Sequence, residues 1–326
     1  MITFFLTAAR PFIAIEWYLD FWAGSTRDRF RILPYEELPA IETLPGGTYI
    51  FTDLERLTDA QLALAGQLYA QISAAGGGFR ALNDPRAVLR RYGLLALLHE
   101  RGINDFGVSR VAAGIREHRY PVFLRLAHAH HTILTPLLET RAELEAAILC
   151  ALMDGNEAEE LLVVEYSDAG RHERGHQVRK AFRVAGEVFT HHIHVVEDTW
   201  IVKSYGRDDA ALVAEEMAFL HSREADQLRP IFELAHIEFG MIDYAMGPEG
   251  PTIWEINTKP VILLSPKANL PPERLPGPER LPGMRLVAGR LRAAFDAIDL
   301  NPDPCPQLRL RWDLDKLRLP ASHGVA

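Results

Sequence analysis

Cysteine is scarce in this chain. Only Cys150 and Cys305 occur in 326 residues, and neither stands in a C-x-x-C or other metal-ligand spacing. A disulfide framework is therefore excluded, and the expected compartment is a reducing cytoplasm. Positive charge is in deficit as well, with 35 Lys and Arg against 44 Asp and Glu for a net charge of −9. Such a balance gives no footing for general nucleic-acid binding. Long uncharged apolar runs are also missing. Residues 2–23 are rich in Ile, Phe, Trp and Leu, but Arg10, Glu16 and Asp20 interrupt them. A membrane-spanning helix needs about 20 nearly uncharged apolar residues. A secretory leader needs a basic start and a small-residue cleavage site, and neither is evident. No membrane association is expected, and the segment reads as core strands and a helix of a first subdomain.

What remains is ordinary globular material, 48% hydrophobic and 24% charged, long enough for two or three subdomains. Thr48–Phe51 after Gly46-Gly47 has the pattern of a buried strand. Thr58 is placed to cap a helix whose apolar positions run from Leu62 to Ile72, ended by Gly76-Gly77-Gly78. Leu89, Leu94, Leu95, Leu97 and Leu98 give a second helix its apolar face, with Gly102 at its C-terminal cap. Tyr120–Arg125 reads as a strand edge. Thr140 and Glu143 form a capping-box pattern before a helix over Leu144–Met153, which Gly155 closes. Strands are expected at Leu161–Tyr166, Val178–Val184 and Glu187–Val196, then helices at 208–222 and near Leu228–Leu234. Two last strands, Glu238–Tyr244 and Thr252–Ile256, flank the turn Gly247–Gly250. The hexapeptide PERLPG then occurs twice in tandem, at Pro272–Gly277 and Pro278–Gly283. Proline at this density predicts an extended linker or arm, followed by a helix at about Met284–Ile298.

The strongest chemical signal is Asp243 on one strand of the final hairpin and Glu255-Ile256-Asn257 on the other. Glu255 and Asn257 are two residues apart and so point to one face, which Asp243 can reach from the partner strand. Three oxygen ligands, two of them charged, suit a hard cation. Magnesium takes one or two carboxylates and completes its shell with water and substrate phosphates. A merely solvated polar hairpin face is the competing reading.

Asp243 followed by Trp254-Glu255-Ile256-Asn257 resembles the closing metal motif of the ATP-grasp superfamily, and further pieces stand in matching order over roughly residues 83–260. Asn83-Asp84-Pro85 and the helix running into Gly102 look like that family's opening segment. Tyr120–Arg125 resembles the strand carrying its phosphate-binding cation. Leu162–Tyr166 resembles the hinge strand that reads adenine, with Glu165 and Tyr166 at the hinge and Asp168 placed to hold a ribose hydroxyl. Val178–Val184 resembles the basic strand beside the phosphates. Alternation sets Arg179 and Arg183 on one face and Lys180 on the other, so Lys180 and Arg183 are alternatives for the phosphate contact.

The pattern also departs from the family. Arg125 stands where many members have lysine, and Leu126–Thr132 contains no glycine where a glycine-rich phosphate loop is usual. Arginine keeps the charge and offers a bidentate fork, whereas the missing glycines remove the easy approach of backbone amides. Arg90 or Arg91 corresponds to the other usual lysine, and Lys259 sets one more cation beside the metal motif. His131 is expected in the phosphate-covering segment as a donor or proton shuttle. His192 and His194 share a strand face, which makes zinc the alternative metal.

The resemblance implies an α+β, ATP-grasp fold: an N-terminal α/β subdomain (1–82), two ATP-grasp subdomains (83–158 and 159–263), and a C-terminal arm and helix (264–326). It implies ATP- and magnesium-dependent joining of a small-molecule or peptide carboxylate to an amine through an acylphosphate. A phosphotransferase, or a nucleotide-binding regulator without turnover, is the alternative, and a homo-oligomer is compatible with all three. Asp243, Glu255 and Asn257 would hold the metal. Arg91, Arg125, Glu165, Tyr166 and Asp168 would hold ATP, and Arg125, Lys180, Arg183 and His131 would serve catalysis.

Overall fold

The computed structural model describes residues 1–8, 15–128, 133–197, 199–201, 209–265 and 275–313. The chain opens with a four-stranded parallel sheet. Strand β1 (Ile2–Leu6) is followed by helix α1 (Glu16–Phe21), strand β2 (Phe30–Pro34), the short β3 (Thr43–Pro45) and β4 (Gly47–Phe51). Helix α2 (Asp59–Ala75) then leads to β5 (Phe79–Leu82), and the strand order is β2-β1-β4-β5. Strands β1 and β4 are buried throughout, as a parallel sheet covered on both faces requires. Thr58 caps α2 reciprocally with Gln61, a complete capping box.

Helix α3 (Arg91–Glu100) and strands β6 (Val108–Arg110) and β7 (Val122–Leu126) follow, then α4 (Arg141–Met153) and β8 (Leu161–Glu165). These strands form a small antiparallel sheet in the order β6-β8-β7. Thr140 caps α4 by accepting the Glu143 amide, but the Glu143 carboxylate turns to the Glu139 amide. The helix therefore begins at Arg141, three residues before the expected start.

A larger antiparallel sheet takes most of the rest. Its strands are β9 (Arg171–His172), β10 (Gly175–Val184) and β11 (Glu187–Val196), then β12 (Phe239–Gly247) and β13 (Gly250–Asn257), ordered β11-β10-β12-β13 with β9 beside β10. Between β11 and β12 lie α5 (Ala210–His221) and α6 (Arg229–Leu234). Leu94 and Leu98 of α3, Leu212 and Phe219 of α5, and Ile231 and Phe232 of α6 share a buried cluster with Ala181, Ile193, Ile242 and Ile256.

Helix α7 (Leu281–Ile298) corrects the expectation of an appended arm. Its Leu291 and Phe295 pack among Phe4 and Phe30 of the first sheet and Phe182 and Phe239 of the larger one. The second PERLPG copy is not extended either. Pro278–Arg280 make a 3-10 turn and Leu281 starts the helix, with Arg280 buried against Glu216 and the Ile193 carbonyl. A buried guanidinium with two acceptors overrides the extended preference of the prolines. Residues 272–274 of the first copy lie outside the described residues. Finally β14 (Gln307–Arg309) pairs with β3.

Two asparagines fasten these layers. Asn83, at φ 66°, donates to the Phe51 and Phe239 carbonyls and accepts from the Glu238 and Phe239 amides. It joins the first sheet to the start of β12. Asn104 exchanges two hydrogen bonds with the Ile253 backbone, holding the segment after α3 against β13. Among the described residues, no helix is long and apolar enough to cross a membrane.

Candidate functional site

One transverse row of the large sheet gathers several of the residues singled out by sequence. The register opposes Lys180 to His192 on β11 and to Asp243 on β12, and Asp243 in turn to Glu255 on β13. Directly opposed residues share a face with their Cβ atoms about 4.5–5.5 Å apart, so a lysine and two carboxylates stand side by side. Asn257 lies two residues along β13 on the same face, opposite Met241.

The acids are paired with protein cations. Lys180 Nζ donates to Asp243 Oδ2 at 2.7 Å. Arg91 Nη2 meets Glu255 Oε2 at 2.5 Å, and Arg125 Nη2 stands 3.8 Å from the same oxygen. The three cations are well covered, with side-chain exposures of 18% for Lys180, 4% for Arg91 and 13% for Arg125. Among the described residues of the row, three positive groups face two negative ones. Burial drives the Arg125 guanidinium down to about 9, with Arg91 adding repulsion and Glu255 opposing. Its Nε is buried without a hydrogen-bond partner. Burial pushes the Asp243 carboxyl up to about 6, against the pull of Lys180 and with the push of Glu255.

The elements explain this convergence. Arg125 and Phe123 alternate onto one face of β7, and Phe123 packs with Phe106, Leu162 and Val164 in a cluster that Tyr92, Trp200 and Trp254 also join. Arg91 is the first residue of α3, after Arg90 at the cap, and the first turn holds no acid. A helix N-terminus favours negative charge, so two arginines there run against the helix dipole and prepare the site for an anion.

The other predicted residues divide. Lys180 belongs to the row and Arg183 does not. Arg183 lies on the opposite face, where its Nε donates to the Ala185 carbonyl. Glu165 sits at the end of β8, with its carboxylate accepting the amides of Gly107 and Arg119 at 2.9 Å each. Burial opposes its ionisation, but those two amides prevail and hold it below the usual carboxylate range. Its side chain thus clamps local backbone. The Tyr166 ring meets Trp200 edge-on at 5.8 Å and its hydroxyl reaches His176, whereas Asp168 is exposed. Asn257 Oδ1 accepts the Lys259 amide. His131 lies outside the described residues.

Lys259 turns away from the row toward the first sheet. Its Nζ pairs at 3.1 Å with Asp53, a fully buried residue at the end of β4. The Thr7 amide donates to the same carboxylate, and Glu55 accepts the Thr258 amide and hydroxyl. Sequence reading missed this cluster, because its members lie some 200 positions apart and only Lys259 adjoins a motif.

Magnesium and zinc part company on donor number. Among the described residues, no group of three or more His, Cys, Asp or Glu side chains gathers to hold a metal. His192 and His194 therefore fall short of the four-ligand protein cage of a structural zinc site. Asp243 and Glu255, two opposed carboxylates with Asn257 on the same face, fit a cation that leaves most of its shell to water and phosphate.

No family model matches the chain, and no curated protein matches its sequence. Solved structures do align with it. A RimK-domain ATP-grasp protein from Sphaerobacter thermophilus aligns at TM-score 0.45 and 18% identity, over 90% of this chain and 99% of that one. The D-alanine–D-alanine ligase of Bacillus anthracis in complex with ATP aligns at 0.47 and 11%, over 91% and 97%. The VanG D-Ala:D-Ser ligase of Enterococcus faecalis aligns at 0.47 and 13%, over 90% and 98%.

Proposed function

We propose that the chain is an ATP-grasp ligase that uses ATP and magnesium to join a carboxylate to an amine. The observation that carries this reading is the concentration of buried positive charge on the row. Among the described residues Arg91 and Arg125 both face Glu255, Lys180 pairs with Asp243, and Arg125 stands 3.8 Å from its carboxylate. A buried, uncompensated cation is costly, and an oligophosphate would relieve it. The order of sequence motifs from Asn83 to Asn257 supports the same reading.

Asp243 and Glu255 would hold the magnesium, with Asn257 on the same face. Bound there, the metal would neutralise phosphate oxygens and orient them for transfer. The protein's own contribution is an exchange of partners. With Asp243 and Glu255 engaged by a metal, Lys180, Arg91 and Arg125 would be available to phosphate oxygens, which the guanidiniums would grip bidentately. Chemistry of this kind needs positioning and charge neutralisation more than a covalent nucleophile on the protein. Tyr166 and Asp168 would line the nucleoside end, across the aromatic cluster of Phe123, Trp200 and Trp254.

Calorimetry tests the metal assignment. Mg-ATP should bind the wild-type chain, and Asp243→Asn and Glu255→Gln should weaken that binding with the fold intact. Unchanged affinity in both variants refutes it. ATP consumption with a panel of amino acids then separates turnover from binding alone, and an amide rather than phosphate-ester product separates ligase from phosphotransferase.

A further inference from the structure

Strand β13 ends at Asn257, and the next two residues leave the row for the first sheet. Asn257 Oδ1 accepts the Lys259 amide at 2.8 Å. A side chain that bonds the backbone two residues ahead forms an Asx turn, which sets the orientation of its own carboxamide. An amide oxygen carries two lone pairs, so such a turn aims the oxygen without excluding a cation. The orientation of Asn257 thus depends on where the Lys259 backbone is held.

The loop after β4 holds it. Lys259, 7% exposed, reaches Asp53 Oδ2 with its Nζ at 3.1 Å. Thr258, fully buried, donates its amide and its hydroxyl to Glu55 at 2.9 and 2.7 Å. The same hydroxyl oxygen accepts the Leu54 amide at 3.1 Å. Asp53 is itself fixed. The amide and hydroxyl of Thr7, just after β1, donate to its Oδ2, and Arg56 Nε stands 3.5 Å from its Oδ1. Its backbone is left-handed, with φ at 61°, a strained state for a residue with a side chain that persists only where the surroundings over-determine it. A buried ion pair adds little stability over apolar residues of the same volume. What the Asp53–Lys259 pair supplies is a fixed distance between the first sheet and the exit of β13.

We propose that Asp53 and Lys259 are positioning residues of the metal site, setting the Asn257 oxygen on the row from the first sheet. The inference rests on the assignment of magnesium to Asp243, Glu255 and Asn257 above. Partners one bond removed from a metal ligand orient it, and their loss typically costs about 10–100-fold in metal affinity. Lys259 acts through its own backbone amide, and Asp53 acts through Lys259. Their effect therefore falls on the metal-dependent part of nucleotide binding. ATP without metal meets Arg91, Arg125 and Lys180, none of which belongs to this segment.

The test uses the full chain, ATP with magnesium, ATP with a chelator, and manganese as a paramagnetic substitute. Lys259→Met alone strands the buried Asp53 charge. The decisive variant therefore joins it to Asp53→Asn, which keeps an oxygen for Thr7. In this pair Mg-ATP affinity should fall about tenfold, while affinity for metal-free ATP holds. Water-proton relaxation by bound manganese should rise, because a water takes the place of the Asn257 oxygen. In an Asn257→Ala background the pair should cost nothing further, as for residues that act in series. Thr258→Val, uncharged and of the same shape, loosens the neighbouring tie and should lower Mg-ATP affinity in the same selective way. Equal losses with and without metal, or a loss that persists in Asn257→Ala, overturn the positioning role and leave the ligase reading standing. So does unchanged Mg-ATP affinity in both the paired variant and Thr258→Val. If magnesium adds nothing to ATP binding by the wild-type chain, the metal assignment falls and this inference with it.

Discussion

Replacing Glu255 with glutamine removes one charge and almost no volume, so it isolates what that carboxylate does before any ligand arrives. It faces Arg91 at 2.5 Å and Arg125 at 3.8 Å. At an effective dielectric of about 20, these separations correspond to attractions of ~7 and ~4 kcal/mol. Desolvation of the three groups offsets most of that, and removing one partner of a buried pair typically costs about 3–5 kcal/mol. Glu255 keeps 22% of its side chain exposed, which favours the lower end, about 3 kcal/mol. At about 2 °C per kcal/mol for a long chain, the Tm of Glu255→Gln should fall by about 6 °C. The same substitution removes the carboxylate that Arg91 and Arg125 share. Inorganic tripolyphosphate without magnesium should then bind between them and stabilise the variant more than the wild type. At a hundredfold excess over its Kd the gain is about 2.7 kcal/mol, nearly the whole loss. Differential scanning fluorimetry with and without tripolyphosphate reads both effects. If the Tm of the variant stays within a degree of wild type, Glu255 does not hold the two arginines. An equal gain from tripolyphosphate in both proteins would show that they do not form an anion site.

Other consequences are equally open to measurement. Arg125→Ala should abolish tight ATP binding and Arg125→Lys should restore only part of it, because an ammonium lacks the guanidinium fork; lowered stability with unchanged ATP affinity would leave Arg125 a structural ion pair. The Asp243 carboxyl should titrate in the folded chain with a midpoint of about 6, seen in its carboxyl carbon shift, and Lys180→Met should move that midpoint upward. A folded-state value above the ordinary value near 3.9 means the folded chain binds the proton more tightly. The share of stability tied to Asp243 is therefore full below about pH 4, declines by about 3 kcal/mol as pH rises to about 6, and is level above; a midpoint at the ordinary value refutes this. Asn83→Ala should destabilise the chain by about 3 kcal/mol in chemical denaturation, since it removes four hydrogen bonds, three of them buried, and forces alanine into a left-handed conformation; a loss below about 1 kcal/mol would show that Asn83 is no brace.

Much of the large sheet was legible because its signals are local. Strand β11 runs over Glu187–Val196 as the alternating pattern predicts, and the final hairpin was expected too, although the Asp243–Glu255 pairing depends on a register shift that leaves Trp254 as an extra residue. Period two also separates Lys180 from Arg183. That rule fails at His191, where an extra residue in the ladder puts two successive side chains in contact. Nothing in the residues 189–194 marks such a bulge. Distance in sequence hid the rest. The proline-rich stretch before α7 looks like a tether, yet Arg280 finds Glu216 and the helix finds Phe4. Lys259 looks like part of the metal motif, yet Asp53 draws it to the first sheet. Tertiary partners of this kind leave no periodic trace near either residue.

The position of α7 has a consequence for how the chain is made. Phe4 and Phe30 leave the ribosome well before Leu291 and Phe295, the residues that cover them. Synthesis at about 5–20 residues per second would leave that side of the first sheet without its partner helix for about 13–50 seconds. Throughout this interval an apolar face stays open to passing chains, so the nascent protein is a natural client for a chaperone that holds hydrophobic surface until α7 has emerged.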